Sequence, residues 1–296
     1  MQITFDSTSG KFVATDAAGN VLDSSKNRDY LKRKLQQIGI KETSAAQTVT
    51  NAAAAEFAIN DRFEFTEQLV TMVATGQTAS AIITGEGGLG KSYTVVKALK
   101  AAGLKDISDL LPGTVVAQRT AFRVVKGFST AKGLYRMLFE NKNSVIVLDD
   151  CDSVLKDPDA LNLLKGALDS YDKRIISWNT NVTDDGLPRS FQFTGGVIFI
   201  SNMSTEKISQ AIRSRSMNVD LSMTTDQKLE RMETIMHAPE FMPEVATSLK
   251  IDAFATIKEY KSIAKEISLR TLINVTKIRA SGNKNWDALA KYMMCN

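Results

Sequence analysis

Eight consecutive residues, Gly85-Glu86-Gly87-Gly88-Leu89-Gly90-Lys91-Ser92, match the pattern G-x-x-x-x-G-K-[ST]. These residue types suit one task. Glycines let a backbone curl until several N–H groups point at one oxyanion, a lysine reaches the β- and γ-phosphates, and a serine hydroxyl is a hard oxygen ligand for Mg2+. At ordinary glycine usage of about 7 %, such a match arises by chance on the order of once in a hundred chains of this length. The loop needs a strand before it and a helix after it, because the helix N-terminus must face the phosphates. Ala81 to Thr84 supply the strand and Tyr93 to Lys100 the helix. Gly85 to Ser92, with Tyr93 beside them, are the candidate binding residues for a nucleoside triphosphate held with Mg2+.

A bound triphosphate also needs an acidic strand end to hold its metal and polarise water, and Ser144-Val-Ile-Val-Leu-Asp149-Asp150 ends in two carboxylates. Asp149 is the expected Mg2+ anchor beside Ser92, and Asp150 the expected base. Composition argues against other chemistries. The single histidine, His237, leaves no His cluster for a metal and no Ser-His-Asp or Cys-His arrangement, and it reads as a helix-terminal residue. Cys151 and Cys295 are far apart and outside any CxxC, which argues against a disulfide framework or a structural zinc site. With 37 Lys+Arg against 33 Asp+Glu, the formal net charge of +4 is scattered along 296 residues. That is no dense basic stripe, so a nucleic-acid partner is neither required nor excluded. Hydrophobic residues at 43 % and charged residues at 24 % fit a globular chain. No apolar run approaches the roughly 18 to 20 residues of a membrane span, and MQITFDSTSGKF does not read as a signal peptide. A cytoplasmic protein without membrane contact is expected.

Short β-branched runs, ASAIITG, FRVVKG, SVIVLDD and GGVIFISN, are separated by helical patterns, as buried parallel strands with crossover helices are. A doubly wound α/β core over residues 57–224 follows. It opens with a helix whose face is Phe63, Phe65, Leu69, Val70 and Val73 and which Gly76 ends. Ahead of it, Ile3, Phe5, Phe12, Val13, Val21 and Leu22 lie between polar turns. Leu31, Leu35 and Ile38 then take helical spacing, with Gly39 placed to stop the helix. Residues 1–42 thus read as a small α+β domain, a meander plus a helix, too small to be stable unaided. Residues 43–56, with few large apolar side chains, read as a linker. Past Thr224 the strand-like runs cease; Leu229, Met232 and Met236, then Phe254, Ile257, Ala264 and Ile267, mark helix faces. Residues 225–296 are expected to form a small all-helical domain.

From Ile59 to Met294 the chain resembles the AAA+ ATPases. Asp149-Asp-Cys-Asp-Ser-Val-Leu155 is similar to the family's D-E-x-D-S/A-φ-φ stretch, and GGVIFISN to its fourth strand, which ends at a sensor-1 asparagine, here Asn202. Gln210-Ala-Ile-Arg213-Ser-Arg215 is similar to the arginine-finger segment, and Ser268-Leu-Arg270 opens a lid helix as a sensor-2 arginine does. TAKGLYRMLFE and LLKGALDSYDKR resemble ATPases encoded by bacteriophages, which implies a host-cytoplasm setting. The resemblance implies a P-loop αβα sandwich with a helical lid, hydrolysing ATP at the interfaces of a homo-oligomer, a hexameric ring. Asp150 would be the base and Asn202 would orient water. Arg215 would be the finger, Arg213 its alternate, and Arg270 sensor 2.

One position departs from the pattern. Where the family carries Glu, this chain has Asp150, whose carboxylate is drawn back by a methylene, so slow turnover or action through a second water is expected. The implied work is remodelling of a macromolecular partner, a protein, with a protein substrate or adaptor engaged through the N-terminal domain. Two rivals stand beside it: a DNA-replication factor of clamp-loader or helicase-loading kind, and a nucleotide-gated scaffold with little hydrolysis. Phe128 in KGFSTAKG is either an aromatic pore residue flanked by Lys126 and Lys132 or a core residue. Lys26, Arg28, Lys32, Arg33 and Lys34 read as a solvated helix face, with a nucleic acid or acidic partner as the alternative.

Overall fold

The computed structural model describes residues 2–6, 10–15, 20–37, 57–110, 120–127, 130–171, 173–179 and 186–296. The chain forms two units, Met1–Ala58 and Ile59–Asn296. In the first, strands β1 (Gln2–Asp6), β2 (Lys11–Thr15) and β3 (Val21–Ser25) make an antiparallel meander. Helix α1 (Arg28–Gln37) follows, started by Asn27, whose side-chain oxygen accepts the N–H groups of Asp29 and Tyr30 at 3.0 and 3.1 Å. Among the described residues, Ala14, Leu31 and Leu35 form its core, with Phe12 packed against them. Ile38, Gly39 and the linker expected at residues 43–56 lie outside the described residues, as do the side chains of Arg28 and Lys32. Lys26 and Arg33 are exposed, and Lys34 pairs with Asp23 at 2.7 Å.

The second unit opens with α2 (Ile59–Thr75), then β4 (Ser80–Thr84), α3 (Lys91–Ala101), β5 (Lys105–Asp106) and β6 (Ala121–Lys126). Next come α4 (Ala131–Glu140), β7 (Val145–Asp149), α5 (Pro158–Ala167) and a hairpin of β8 (Ile175–Ser177) and β9 (Ser190–Gln192). The chain continues through β10 (Gly196–Ile200), α6 (Gln210–Arg213) and β11 (Met217–Asp220). Six strands form a parallel sheet in the order β11-β4-β10-β7-β6-β5. Side chains alternate across it. Ile82, Ile146, Leu148, Val197 and Phe199 join the core that contains α4 and α5, whereas Ala81, Ile83, Val145, Val147, Ile198 and Ile200 join the core that contains α2 and α3. With both faces covered, β4, β7 and β10 are buried at every position, which is why they are continuous apolar runs in sequence.

Three features carry no such signature. β11 is an edge strand with two exposed and two half-buried residues, β5 has only two residues, and the hairpin contributes single inward side chains, Ile176 and Phe191. Tyr135 of α4 fixes that hairpin region by donating its hydroxyl to Pro188 O at 2.6 Å. After the sheet, α7 (Thr225–Met236), α8 (Thr247–Tyr260), α9 (Leu269–Ala280) and α10 (Trp286–Cys295) enclose a third core built on Met232, Phe254, Ile257, Leu272 and Val275. His237 is the residue that ends α7. No helix among the described residues is long and apolar enough to cross a membrane.

Candidate phosphate-binding site

Strand register gathers the site. Ile200 lies opposite both Ile83 and Asp149, Lys126 lies opposite Asp149, and Asp220 opposite Thr84. The carboxyl ends of β11, β4, β10, β7 and β6 therefore form one row, and the residues that follow them, including Gly85, Asn202 and Asp150, lie along the same edge. In open α/β sheets this edge is where ligands bind.

Lys91 is the first residue of α3, after Gly90 with φ 88°. It is buried, and its ammonium donates to Gly85 O and Glu86 O, both at 2.7 Å, and to Asn202 Oδ1 at 2.9 Å. Burial lowers its pKa from the ordinary lysine value, and the nearby carboxylates of Asp150 and Asp149 oppose that shift. No side chain caps α3, so its first-turn N–H groups are not taken by a capping residue. Ser92 donates its hydroxyl to Asp149 Oδ1 at 2.8 Å, and Lys126 Nζ lies 3.2 Å from Asp149 Oδ2.

Asp150 adopts φ 56°, a left-handed backbone that Asp tolerates better than most residues, and its N–H donates to Ile200 O at 3.0 Å. Its carboxylate accepts from Asn202 Nδ2 at 2.8 Å. An ammonium can only donate and a carboxylate only accept, so the Asn202 amide has one orientation between Lys91 and Asp150. Two residues on, Asp152 accepts the Ser201 hydroxyl at 2.6 Å. Cys151 is buried between these acids; burial first, then Asp149, Asp150 and Asp152, push its thiol up to about 11. It is a neutral packing group at physiological pH, not a nucleophile.

The helical region meets the loop directly. Leu269 N–H donates to Gly88 O at 2.9 Å, and Lys228 of α7 pairs with the Glu86 carboxylate. Glycine is favoured at Gly88, at φ +75°, for two reasons: its backbone is left-handed, and a Cβ there would lie 3.1 Å from both Cβ and Oγ of Ser268. The exposed Arg270 stands over the loop, with a guanidinium nitrogen 3.9 Å from where a Cβ on Gly87 would be.

Lys91, Ser92, Asp149, Asp150, Asn202 and Arg270 are thus brought together. Leu89 is buried in the α2–α3 core and can offer the site only its main chain; the Glu86 side chain faces Lys228, and Tyr93 is 58 % exposed on α3. Arg213 and Arg215 lie elsewhere. Arg213 Nε donates to Ile208 O at 3.0 Å; Arg215 is exposed, donates to Ala211 O at 2.9 Å, and its own carbonyl accepts from Ser80 Oγ at 3.1 Å. Ser80 begins β4 and Gly85 follows its end, so Arg215 is about 16 Å along the strand from the loop of its own chain. Phe128 lies outside the described residues, and Lys132 is exposed on α4.

Lys126, read from sequence as part of a basic loop, instead faces Asp149. The register of β6 on β7 brings them opposite, a fact that sequence order alone does not contain. Lys228, Ser201 and the Leu269 N–H also escaped the sequence reading; the last is a main-chain contact with no residue-type signal.

The donors at the loop suit Mg2+ held with a triphosphate. A serine hydroxyl and one carboxylate oxygen are hard ligands, and Mg2+ is bound through one or two carboxylates plus phosphate oxygens and water. Among the described residues, no cluster of three or more His, Cys, Asp or Glu could hold a metal ion. No family model matches the chain. An uncharacterized 36.7 kDa protein from the nrdC–mobD intergenic region of Enterobacteria phage T4 is 29% identical over 250 residues, covering 78% of this chain and 73% of that protein. The likeness links the chain to a phage protein and carries no activity.

Proposed function

We propose that this chain is a Mg-dependent ATPase of AAA+ type, with the helices α7–α10 as its lid. The observation that carries the reading is the convergence of Lys91, Ser92, Asp149, Asp150 and Asn202 at the carboxyl edge of a parallel sheet. The loop N–H groups and the Lys91 ammonium would hold the phosphates, with Lys91 exchanging its carbonyl partners for phosphate oxygens. Ser92 and Asp149 would hold Mg2+, which supplies charge neutralisation on the β- and γ-phosphate oxygens. Asp150 takes the proton of the attacking water. Asn202, bonded to both Lys91 and Asp150, sets the position of that carboxylate relative to the phosphate end of the loop. Arg270 reaches the loop from the lid side.

Arg215 acts on a different site. An exposed guanidinium at the far end of β4 suits completion of the site on an adjacent copy, so the active form is a homo-oligomeric ring, six subunits being the reading favoured by the family resemblance. Coupling hydrolysis to subunit contacts lets the assembly remodel a partner protein, chosen through the N-terminal unit, in the cytoplasm of a phage-infected host; a role on DNA is the rival reading. A nucleotide-gated scaffold is the second alternative, favoured by the shorter Asp150 and its bond to Asn202. Steady-state ATPase rates of the full chain alone, with DNA and with an unfolded protein test these readings together. Stimulation by unfolded protein supports remodelling, stimulation by DNA supports the replication role, and ATP binding without turnover supports the scaffold. Absence of ATP binding refutes the whole reading.

A further inference from the structure

Glu86 is held at both of its ends. Its carbonyl accepts from Lys91 at 2.7 Å, and its carboxylate accepts from Lys228 at 2.5 Å. Lys228 occupies an unusual place for a cation. It lies in the first turn of α7, where the helix dipole disfavours positive charge, and its side chain is only 13 % exposed. The anion that meets it comes from the loop, at a position that the G-x-x-x-x-G-K-[ST] pattern leaves open.

The surroundings make this contact a seat for the lid helices. The N-terminus of α7 is fixed by reciprocal bonds, Gln227 N–H to Thr224 Oγ1 at 3.2 Å and Thr224 N–H to Gln227 Oε1 at 3.0 Å. The segment leading into it is anchored by Arg62, which donates to Asp220 O at 3.2 Å and Ser222 O at 2.9 Å. From α9, Leu269 N–H reaches Gly88 O two residues beyond Glu86. The loop is therefore gripped by a charge pair from one helix and a main-chain bond from another.

We infer that Lys228 is a positioning residue: through the Glu86 carboxylate it holds the Glu86 carbonyl in place for Lys91 and keeps α9 seated on Gly88. Its effect on nucleotide rests on the proposed ATP-binding reading; its effect on the seat does not. The test uses the full chain carrying K228E, E86K, the exchanged pair E86K/K228E, and K228M as a neutral variant. Two quantities are read: the hydrogen-exchange rate of the Leu269 amide without nucleotide, and the affinity for a fluorescent ATP analogue. Each single variant is expected to speed the exchange and weaken the analogue by about three- to fivefold, the size of a partly exposed ion pair. The exchanged pair is expected to recover both. If exchange in the pair stays as fast as in K228E, Lys228 does not act through Glu86 and the inference is overturned, whatever the analogue does. If exchange recovers while no variant, nor the unaltered chain, binds the analogue, the seat stands and the ATP reading falls.

Discussion

Replacing Gly88 by Ala tests how tightly the loop and the helices of the C-terminal region are fitted, and Gly103 provides the matched control. Both glycines are left-handed, at φ +75° and +83°, but a Cβ on Gly103 would meet nothing within 4 Å, whereas one on Gly88 would meet Ser268 Cβ and Oγ at 3.1 Å. The backbone cost of a left-handed alanine is about 1–2 kcal/mol, offset by roughly 0.4–1 kcal/mol from a stiffer unfolded chain. Gly103→Ala should therefore destabilise by about 1 kcal/mol. Gly88→Ala carries that same cost and a contact that must be relieved. Ser268 is buried, immediately precedes α9 and has its N–H bonded to Thr271 Oγ1 at 3.1 Å, so moving it disturbs a helix start, for about 1 kcal/mol more. The sum is about 2 kcal/mol, read by urea denaturation of both variants beside the unaltered chain. The excess of Gly88→Ala over Gly103→Ala should come with faster exchange of the Leu269 amide, whose acceptor is Gly88 O. Equal destabilisation of the two variants, with Leu269 exchange unchanged, would refute the fit between loop and helix.

Lys91→Ala, which removes the ammonium at the loop, should abolish binding of an ATP analogue, while Asp150→Asn should leave binding intact and lower turnover at least a hundredfold; undiminished ATPase rates in both variants contradict the site assignment. Arg215→Ala subunits should be inactive alone yet regain activity when mixed with Lys91→Ala subunits, since each supplies what the other lacks, and activity no greater than the sum of the separate proteins counts against a shared site. The raised thiol pKa of Cys151 gives a pH dependence of known sign. Below pH 9 the thiol is neutral in folded and unfolded chain alike; between 9.0 and about 11 only the unfolded chain ionises. Stability should therefore fall by about 2–3 kcal/mol across that window, and Cys151→Ala should remove this component when denaturation is compared at pH 8 and pH 11.

The strands that were legible are those enclosed on both faces. Ala81–Ile83, Val145–Leu148 and Gly196–Ile200 are continuous apolar runs because helices cover the sheet on both faces there. Met217–Asp220 escaped because an edge strand needs no such run; Met217 is 44 % exposed, and all four residues are held by the ladder to β4. The site divides along the same line. Lys91 and Ser92 were legible because the loop is contiguous, and Asp149 because it ends a strand at the edge where the loop begins. The facing of Lys126 and Asp149 depends on β6 being next to β7, which chain order does not dictate. The seating of α9 rests on a peptide N–H and a peptide carbonyl, groups that every residue but proline supplies.

Three carboxylates within four residues, at Asp149, Asp150 and Asp152, would repel one another at the edge of an apolar sheet unless each had its own donor. The donors come from different segments: Ser92 of α3 and Lys126 of β6 for Asp149, Asn202 for Asp150, and Ser201 for Asp152. The acidic turn thereby ties α3, β6 and the end of β10 to β7, and the same bonds that set up the site also hold the sheet edge together. Removing a carboxylate outright would leave a donor without its acceptor and change the fold's stability along with its chemistry. Asp150→Asn avoids this, because its side-chain oxygen can still accept from Asn202 Nδ2 while the group loses its charge and its capacity to take a proton. It separates the proposed chemical role of Asp150 from its structural one, which Asp150→Ala cannot do.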